Sequence, residues 1–326
     1  MHALVTGASG FVGGHLVDRL LLCGWQVTAL ARGNQSQPNH LSHRGCQLIF
    51  ADIMDVDVLT SIIAAENFDV VFHLAGRNAF AQRRELYGVN VLGSVSLFEA
   101  VRASRRPELK VILMGSSAEY GASKDDPIRE DSPLLPVSDY GVTKVCMDLM
   151  GVAMFKNSNQ NVVCARPFNI VGPGQRGPFL QATVVNQIVE IETGRRASVL
   201  ELGDLEAHRD FIDVRDVASG LVALAKNGRP GEAYNLCSGR AVQVKSLADY
   251  VVSLTTSPIT IASRDRTGTG GNVPYQRGSC EKTYLATGWL PLTPLEVSLA
   301  DALNYSRAQR DVLYHADQRC SESASS

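Results

Sequence analysis

The first half of the chain alternates short apolar runs with longer segments in which apolar residues recur at helical spacing. The short runs are rich in Val, Ile and Leu and do not alternate with polar residues, which is typical of strands buried on both faces of a parallel sheet. They predict strands at residues 3–6, 26–31, 46–51, 69–74, 110–115 and 161–166. Helical periodicity predicts helices between them at residues 12–21, 56–68, 86–103 and 140–155. This alternation predicts right-handed βαβ units and an α/β fold with a doubly wound parallel sheet.

The pattern changes after residue 166. Stretches rich in glycine predict loops at 172–177 and 264–278, with a helix at 213–227 and a strand at 232–236 between them. We therefore expect the chain to leave the sheet near Asn169, to return over residues 210–238, and to leave it again to form a smaller lid. The predicted parts are a sheet domain (1–168 and 208–240), a lid domain (169–207 and 241–316) and a flexible polar tail (317–326).

The charge and cysteine content narrow the classes of partner. Lys and Arg number 31 against 33 Asp and Glu, so the net charge of −2 predicts neither a nucleic-acid nor a membrane partner. The 7 cysteines are scattered and never form a CxxC pair, which favours free thiols in the cytoplasm over disulfides or a metal site. No apolar stretch reaches the roughly 18 residues of a membrane span.

A glycine-rich turn follows the first predicted strand. Residues 6–13 read TGASGFVG, in which Gly7, Gly10 and Gly13 are spaced three apart. Glycine lets the backbone turn tightly and approach a pyrophosphate, and the N-terminus of the next helix offers free N–H groups to that anion. The sequence therefore predicts a dinucleotide-binding sheet domain, with Phe11 and Val12 also at the cofactor, although an ordinary glycine turn would have the same composition.

The residues at the ends of the next strands indicate which nicotinamide cofactor is bound. An acid that would bond the ribose hydroxyls of NAD is missing after the second strand, where Arg32 stands instead. Arginine pairs well with a 2′-phosphate, so NADP(H) is favoured and NAD(H) stays an alternative. Residues after the third and fourth strands are predicted to pass close to the cofactor; they are Asp52, Ile53, Leu74, Ala75 and Gly76.

The spacing Tyr-x-x-x-Lys occurs twice, at Tyr120 and Lys124 and again at Tyr140 and Lys144. This spacing brings the two side chains to one face only if the segment is helical. Loop-forming residues follow Tyr120, whereas residues 140–155 have a helical pattern. The second pair is therefore the candidate catalytic pair.

The chemistry of a ketone that accepts hydride suits this pair, because its oxygen needs a proton. Tyrosine has an unperturbed pKa of about 10. An ammonium one turn away is expected to stabilise the phenolate of Tyr140 and lower that pKa, and Lys144 can also hold the nicotinamide ribose. A hydroxyl at the end of the fifth strand would polarise the carbonyl. Ser116 and Ser117 are both candidates for this role.

Several segments together resemble the extended short-chain dehydrogenases/reductases of the NAD-dependent epimerase/dehydratase family. They are TGASGFVG (6–13), HLAG (73–76), NVLGS (90–94), GSSAEYG (115–121), YGVTK (140–144) and RPFNIVGPGQ (166–175). The resemblance implies a Rossmann fold with a C-terminal substrate-binding lid. GSSAEYG and residues 203–216 look most like the GDP-6-deoxy-mannose reductases, which reduce a 4-keto nucleotide sugar.

This resemblance implies roles for particular residues. Tyr140, Lys144 and one serine would be catalytic, and Asn90 would contact the cofactor. A nucleotide-diphosphate sugar would be bound by Asn169, Arg209 and Arg277, since an arginine fork suits a diphosphate. The resemblance also implies a homodimer that pairs helix 86–103 with helix 140–155.

Three other functions compete with the reductase. A 4-epimerase oxidises and re-reduces the same carbon with tightly bound NAD, and Arg32 argues against it. A 4,6-dehydratase needs a carboxylate pair beside the catalytic hydroxyl, whereas Ser117-Ala118-Glu119 offers one carboxylate at most. A nucleotide-sensing regulator would be expected to lack the Tyr140 and Lys144 pair.

Overall fold

The computed structural model describes residues 1–33, 45–264 and 273–323, the last 13 of these by backbone alone. Seven parallel strands form the central sheet in the order β10-β6-β5-β4-β1-β2-β3, which confirms the predicted doubly wound Rossmann architecture. The strands are β1 (His2–Thr6), β2 (Gln26–Ala31), β3 (Gln47–Phe50), β4 (Val70–His73), β5 (Lys110–Met114), β6 (Val162–Pro167) and β10 (Ala233–Leu236). The order reverses between β1 and β4, and ligands of such sheets bind at the carboxyl ends of strands beside this point.

Helices cover both faces of this sheet. They are α1 (Phe11–Leu22), α2 (Val56–Ala65), α3 (Arg83–Tyr87), α4 (Gly93–Ala103), α5 (Asp139–Ser158), α7 (Val214–Asn227) and α9 (Glu281–Thr287). Alternate strand residues enter different cores: Ala3 and Val5 pack in the cluster with α1 and α7, and Leu4 packs in the cluster with α2, α4 and α5. Burial on both faces explains why the strands show no polar alternation.

The helix predicted at 86–103 is interrupted in the structure. A π-helical turn, Gly88–Leu92, separates α3 from α4. Its buried Asn90 directs its side chain to the backbone of Arg77, and a single π turn often marks a functional position. Apolar periodicity does not reveal the interruption, because the flanking helices keep the same buried face.

The chain divides into two compact units. The first contains Met1–Ile170, Arg209–Ala241 and Gly270–Leu292, and the second contains Val171–His208, Val242–Thr269 and Thr293–Ser326. The second unit includes α6 (Leu180–Glu192), α8 (Val244–Ser253), α10 (Leu295–Ser323) and the parallel pair β8 (Val199–Leu202) and β12 (Thr260–Ser263). Three of the five points at which the chain passes between units lie in short strands, namely β7 (Asn169–Val171), β9 (His208–Asp213) and β11 (Ala241–Gln243).

The structure differs from the predicted domain limits in two places. Gly270–Leu292 belongs to the first unit rather than to the lid, because Ile128 donates its N–H to Arg277 O at 2.8 Å and accepts from Ser279 N at 2.9 Å. Helix α10 continues through much of the predicted tail to Ser323. The predicted loop at 264–278 lies partly outside the described residues.

No helix within the described ranges is both long and apolar enough to cross a membrane. The cytoplasmic location therefore stays a prediction.

Candidate active site

The turn between β1 and α1 requires glycine at two positions. Gly7 has a φ of +68°, and a Cβ there would lie 2.6 Å from the backbone nitrogen of Ala75. A Cβ at Gly13 would lie 2.2 Å from the carbonyl oxygen of Gly7. Gly10 begins α1 without a side-chain cap, and the first N–H groups of a helix have no partner within it. This cradle of backbone fits a pyrophosphate, with Phe11 and Val12 in the first helical turn.

Replacing Gly13 with alanine is expected to weaken the affinity for NADPH or NADH at least about tenfold and to destabilise the fold by about 1–3 kcal/mol. The added methyl group would meet a backbone oxygen, which cannot rotate away. Fluorescence titration and thermal unfolding would measure the two effects. Gly88→Ala is the matched control, because its Cβ would meet only the sulfur of Met54, at 4.0 Å. Equal behaviour of the two variants would contradict the need for a bare backbone at Gly13.

The other residues predicted for the cofactor stand at the ends of the neighbouring strands. Arg32 follows β2 and is 66% exposed, with its Nη1 3.9 Å from Glu85 Oε1. Asp52 follows β3 and accepts the N–H of Met54 at 2.9 Å, while Ile53 is buried against Gly93. Leu74, Ala75 and Gly76 follow β4 directly.

A chain of hydrogen bonds connects β1 with the π-helical turn. The hydroxyl of Ser94 donates to Asn90 O at 2.7 Å, so His73 Nε2 donates to Ser94 at 2.9 Å. His73 Nδ1 then accepts from the hydroxyl of Thr6 at 2.9 Å, and this hydroxyl accepts the N–H of Ala75 at 3.2 Å. Burial lowers the pKa of His73 to about 3, which keeps the ring neutral as this arrangement requires.

Asn90 connects the loop after β4 with α5. Its Oδ1 accepts the N–H of Arg77 at 2.6 Å, and its Nδ2 donates to Arg77 O and to Thr143 Oγ1 at 3.1 and 3.0 Å. A Cβ at Gly76 would lie 3.1 Å from Asn90 Oδ1 and 3.7 Å from Lys144 Nζ. The structure thus brings together three residues that were predicted to contact the cofactor.

Tyr140 lies in the first turn of α5, which Ser138 caps by accepting the N–H of Gly141 at 3.1 Å. The hydroxyl of Ser116 lies near enough to that of Tyr140 to act on the pKa of the phenol. Lys144, one turn later, is buried, donates to Met114 O at 2.7 Å and lies 5.8 Å from the centre of the Tyr140 ring. A hydroxyl pair and an ammonium therefore meet at the carboxyl end of β5.

The pKa values of Tyr140 and Lys144 differ from those expected from the sequence. Burial raises the pKa of Tyr140 to about 12, and the nearby Ser116 hydroxyl opposes this only in part. Burial also lowers the pKa of Lys144 to about 8. The prediction that Lys144 lowers the pKa of Tyr140 was wrong for this structure, because loss of hydration outweighs other influences and the ammonium bonds to Met114.

The two serines after β5 differ in their partners. The hydroxyl oxygen of Ser116 accepts the N–H of Ala118 at 3.1 Å and the group lies near the Tyr140 hydroxyl. The hydroxyl of Ser117 instead donates to Gln276 Oε1 at 3.2 Å. The carbonyl oxygen of Ser117 also accepts from Gln276 Nε2 at 3.1 Å. The structure therefore does not support Ser117 as a catalytic hydroxyl, since it is engaged on the other side of the turn.

Asp210 connects the three chain segments that carry the residues predicted for the substrate. The Nδ2 of Asn169 donates to Asp210 O at 2.9 Å, and Arg209 precedes Asp210 in β9. The carboxylate of Asp210 accepts the N–H of Gly278, next to Arg277, at 3.1 Å. Arg277 Nε donates to Asp126 at 2.7 Å. Asp210 therefore anchors the segments that carry all three predicted residues.

Comparison with known proteins agrees with this arrangement. Residues 3–237 match the NAD dependent epimerase/dehydratase family. The chain is 30% identical to the GDP-6-deoxy-D-mannose reductase of Pseudomonas aeruginosa, over 92% of this chain and 95% of that protein. The chain belongs to the NAD dependent epimerase/dehydratase family. It is also 28% identical to the UDP-glucose 4-epimerase of Halalkalibacterium halodurans, over 94% of this chain and 96% of that one. Its structure is similar to that of RMD from Pseudomonas aeruginosa complexed with NADPH, with a TM-score of 0.80, 29% identity and coverage of 94% and 99% of the two chains.

A cluster of buried charges lies behind Ser116 in this member of the epimerase/dehydratase family, and no motif of the sequence predicts it. Arg166, in β6, lies with its Nε 3.0 Å from Glu119 Oε2, and its Nη2 donates to Asp148 of α5. The guanidinium also donates to the hydroxyl of Tyr120 at 2.9 Å, which donates to Asn235 at 2.7 Å. Two quoted motifs, GSSAEYG and RPFNIVGPGQ, contain Glu119 and Arg166, but nothing in their spacing signals an ion pair.

Proposed function

We propose that the chain is an NADPH-dependent reductase that converts a 4-keto nucleotide sugar, of the GDP-4-keto-6-deoxy-mannose kind, to a deoxyhexose product. The observation that carries the proposal is the position of Tyr140 near Ser116 and near Lys144, whose Nζ lies 5.8 Å from the centre of the Tyr140 ring and beside Gly76. The Pseudomonas aeruginosa reductase, 30% identical over 92% of this chain, supports the substrate class.

We assign the residues of the chain to the parts of the cofactor and the substrate that they would bind. The amides from Gly10 to Gly13 would hold the pyrophosphate, and Arg32 the 2′-phosphate. The adenine and nicotinamide halves would be contacted by residues at the other strand ends, by one residue of the π-helical turn and by two residues of α5. These are Asp52, Ile53, Leu74, Ala75 and Gly76, then Asn90, then Tyr140 and Lys144. The diphosphate and sugar would be bound by Asn169, Arg209 and Arg277.

A bound nicotinamide cofactor would supply the hydride. Ser116 donates a hydrogen bond to the keto oxygen, and Tyr140 gives that oxygen its proton. Since the pKa of Tyr140 is about 12, its hydroxyl stays protonated near neutral pH and is ready to donate. Lys144, whose Nζ lies 5.8 Å from the centre of the Tyr140 ring, would hold the nicotinamide ribose beside this hydroxyl.

The direct test mixes purified protein with NADPH and GDP-4-keto-6-deoxy-mannose, then with NADH and with other 4-keto nucleotide sugars, and follows the absorbance of the reduced cofactor. We expect oxidation of NADPH only when the keto sugar is present. The absence of oxidation with every sugar would contradict the reductase.

Cofactor preference has its own test at Arg32. Arg32→Ala is expected to lower kcat/KM for NADPH about tenfold, which corresponds to one lost charge-assisted hydrogen bond, and to leave kcat/KM for NADH unchanged. Arg19→Ala removes another exposed arginine, on α1, and should change neither value. A preference for NADH in the unmodified protein would contradict the NADPH proposal.

A nucleotide-sugar 4-epimerase is the second candidate, because an epimerase relative is 28% identical over 94% of the chain. Release of stoichiometric NAD on denaturation would favour it. The 4,6-dehydratase ranks third. Its mechanism needs a free carboxylate at the site, whereas Glu119 is fully buried and accepts the N–H of Ser116 at 2.8 Å.

A homodimer also remains part of the proposal. Large apolar side chains are exposed on the two predicted interface helices, at Leu92 (54%) and Leu149 (57%). Burial of such residues against a second copy would stabilise the dimer. A monomer mass in light scattering would contradict it.

A further inference from the structure

Gly115 is held between two charged side chains at the end of β5. Lys144 Nζ donates to the carbonyl oxygen of Met114, the preceding residue, at 2.7 Å. Glu119 Oε1 accepts the N–H of Ser116, the following residue, at 2.8 Å. A Cβ at Gly115 would lie only 2.5 Å from Glu119 Oε1, so the carboxylate occupies the space that a side chain would take. Both backbone groups that flank Gly115 are therefore fixed by ionisable residues.

Glu119 is fully buried, and its second oxygen faces Arg166. Asp148 bonds the same guanidinium, so Arg166 has a carboxylate partner without Glu119. What distinguishes Glu119 from Asp148 is its contact with Ser116 and its attraction for the ammonium of Lys144. The ionisable groups that act on Glu119 or on Lys144 are Tyr120, Tyr140, Asp148, Cys164, Arg166 and His73.

We propose that Glu119 is a positioning residue of the active site, which fixes the Ser116 end of β5 against Tyr140 and supplies the negative charge that keeps Lys144 an ammonium. The inference rests on the proposed roles of these three residues. Glu119 is not itself a proton donor in the reaction, because its oxygens face Ser116 N and Arg166 and it has no exposed surface.

The sign of the electrostatic effect follows from the charges. Burial lowers the pKa of Lys144 to about 8, and burial together with Asp148 raises the pKa of Glu119 to about the same value. Glu119 therefore becomes negative in the pH range in which Lys144 would lose its proton, and there its charge opposes that loss. Removal of that charge therefore lowers the pKa of Lys144 further. Without Glu119, Lys144 would therefore lose its proton, and its contact with the nicotinamide ribose, at a lower pH than in the unmodified protein.

The test compares Glu119→Gln with Asp148→Asn. Each variant removes one carboxylate charge from Arg166, but only the first removes it from beside Lys144. The affinity for NADPH, measured by fluorescence titration from pH 6 to 10, is expected to decline around pH 8 in the unmodified protein. In Glu119→Gln the midpoint should move down by about one unit or more. In Asp148→Asn it should not move down, because loss of Asp148 lowers the pKa of Glu119 and leaves its charge beside Lys144. Equal shifts in both variants, or no shift in either, would overturn the proposal.

A second variant separates position from charge and covers a failure of Glu119→Gln to fold. Glu119→Asp keeps the charge but shortens the reach to Ser116 N–H. It should keep the midpoint for NADPH and lower kcat about tenfold, with KM little changed. A shifted midpoint in Glu119→Asp, or an unchanged kcat, would contradict the proposal.

The binding measurement needs no sugar substrate, so it distinguishes this inference from the proposed reaction. If no keto sugar is reduced but the midpoints behave as expected, only the reaction is wrong. NADH replaces NADPH in the titration if it binds more tightly. Failure of both cofactors to bind would overturn the two proposals together.

Discussion

Replacement of Tyr140 with phenylalanine is expected to lower kcat by roughly 10²–10⁴, the range that a positioned proton donor contributes. The variant keeps the aromatic ring in the first turn of α5 and loses only the hydroxyl that lies near Ser116. Affinity for NADPH should change little, because Lys144 and the Gly7 turn remain. Steady-state rates from the absorbance of the reduced cofactor, together with a fluorescence titration, would measure both quantities.

The chain contains a matched control in the other Tyr-x-x-x-Lys segment. Tyr120 is fully buried, and its hydroxyl bonds with Asn235 and Arg166 rather than with Ser116. Tyr120→Phe should therefore destabilise the fold by about 1–2 kcal/mol and leave kcat within threefold of the unmodified value. A Tyr140→Phe enzyme that keeps more than a tenth of its turnover would contradict the proposed proton donor.

Much of the fold was predictable because the sheet is buried on both faces. The bounds of β2, Gln26–Ala31, are those predicted, and the other predicted sheet strands were found with small shifts at their ends. Elements that depend on distant partners were not predictable. The segment Gly270–Leu292 joins the first unit through bonds between Ile128 and residues about 150 positions later, and no local pattern records such a pairing.

The candidate site likewise combines features that have a local cause with features that distant residues determine. The spacing of Gly7 and Gly13 has a local steric cause, which a sequence displays directly. The direction of the Ser117 hydroxyl has no such local cause, because it is set by a hydrogen bond to Gln276, 159 residues away. The raised pKa of Tyr140 was missed because the spacing to Lys144 reports which charges are near, and not how much hydration the phenol has lost.

Replacement of Arg166 with methionine is expected to lower the free energy of unfolding by about 3–5 kcal/mol. The side chain of Arg166 is 6% exposed, and those of Glu119 and Asp148 are 0% and 3% exposed. Methionine fills much of the space but leaves two buried carboxylates without a cation. Denaturant unfolding at pH 7 would measure the loss. Arg129→Met is the control, because its ion pair with Glu281 is about half exposed on both sides and should be worth at most about 1 kcal/mol.

The pKa of Glu119 predicts how the loss of stability in Arg166→Met depends on pH. Burial and Asp148 raise the pKa of Glu119 to about 8, and Arg166 opposes the rise. Without the guanidinium the pKa of Glu119 rises further. An acid whose pKa is higher in the folded than in the unfolded state contributes stability at low pH, which is lost as the pH rises through the folded value. The loss caused by Arg166→Met should therefore be larger at pH 9 than at pH 6. An equal loss at both values would mean that the carboxylates are hydrated or paired elsewhere.

A triple variant separates the stability of the cluster from its role at the active site. Neutral replacement of all three charges, as Glu119→Gln with Asp148→Asn and Arg166→Met, leaves no buried ion without a partner, and it should recover much of the stability that Arg166→Met loses. It should not recover the NADPH-binding midpoint near pH 8, because Lys144 still lacks the charge of Glu119. Recovery of both properties would mean that the cluster serves the fold alone, whereas recovery of stability without the midpoint requires a separate contribution of Glu119 to the site.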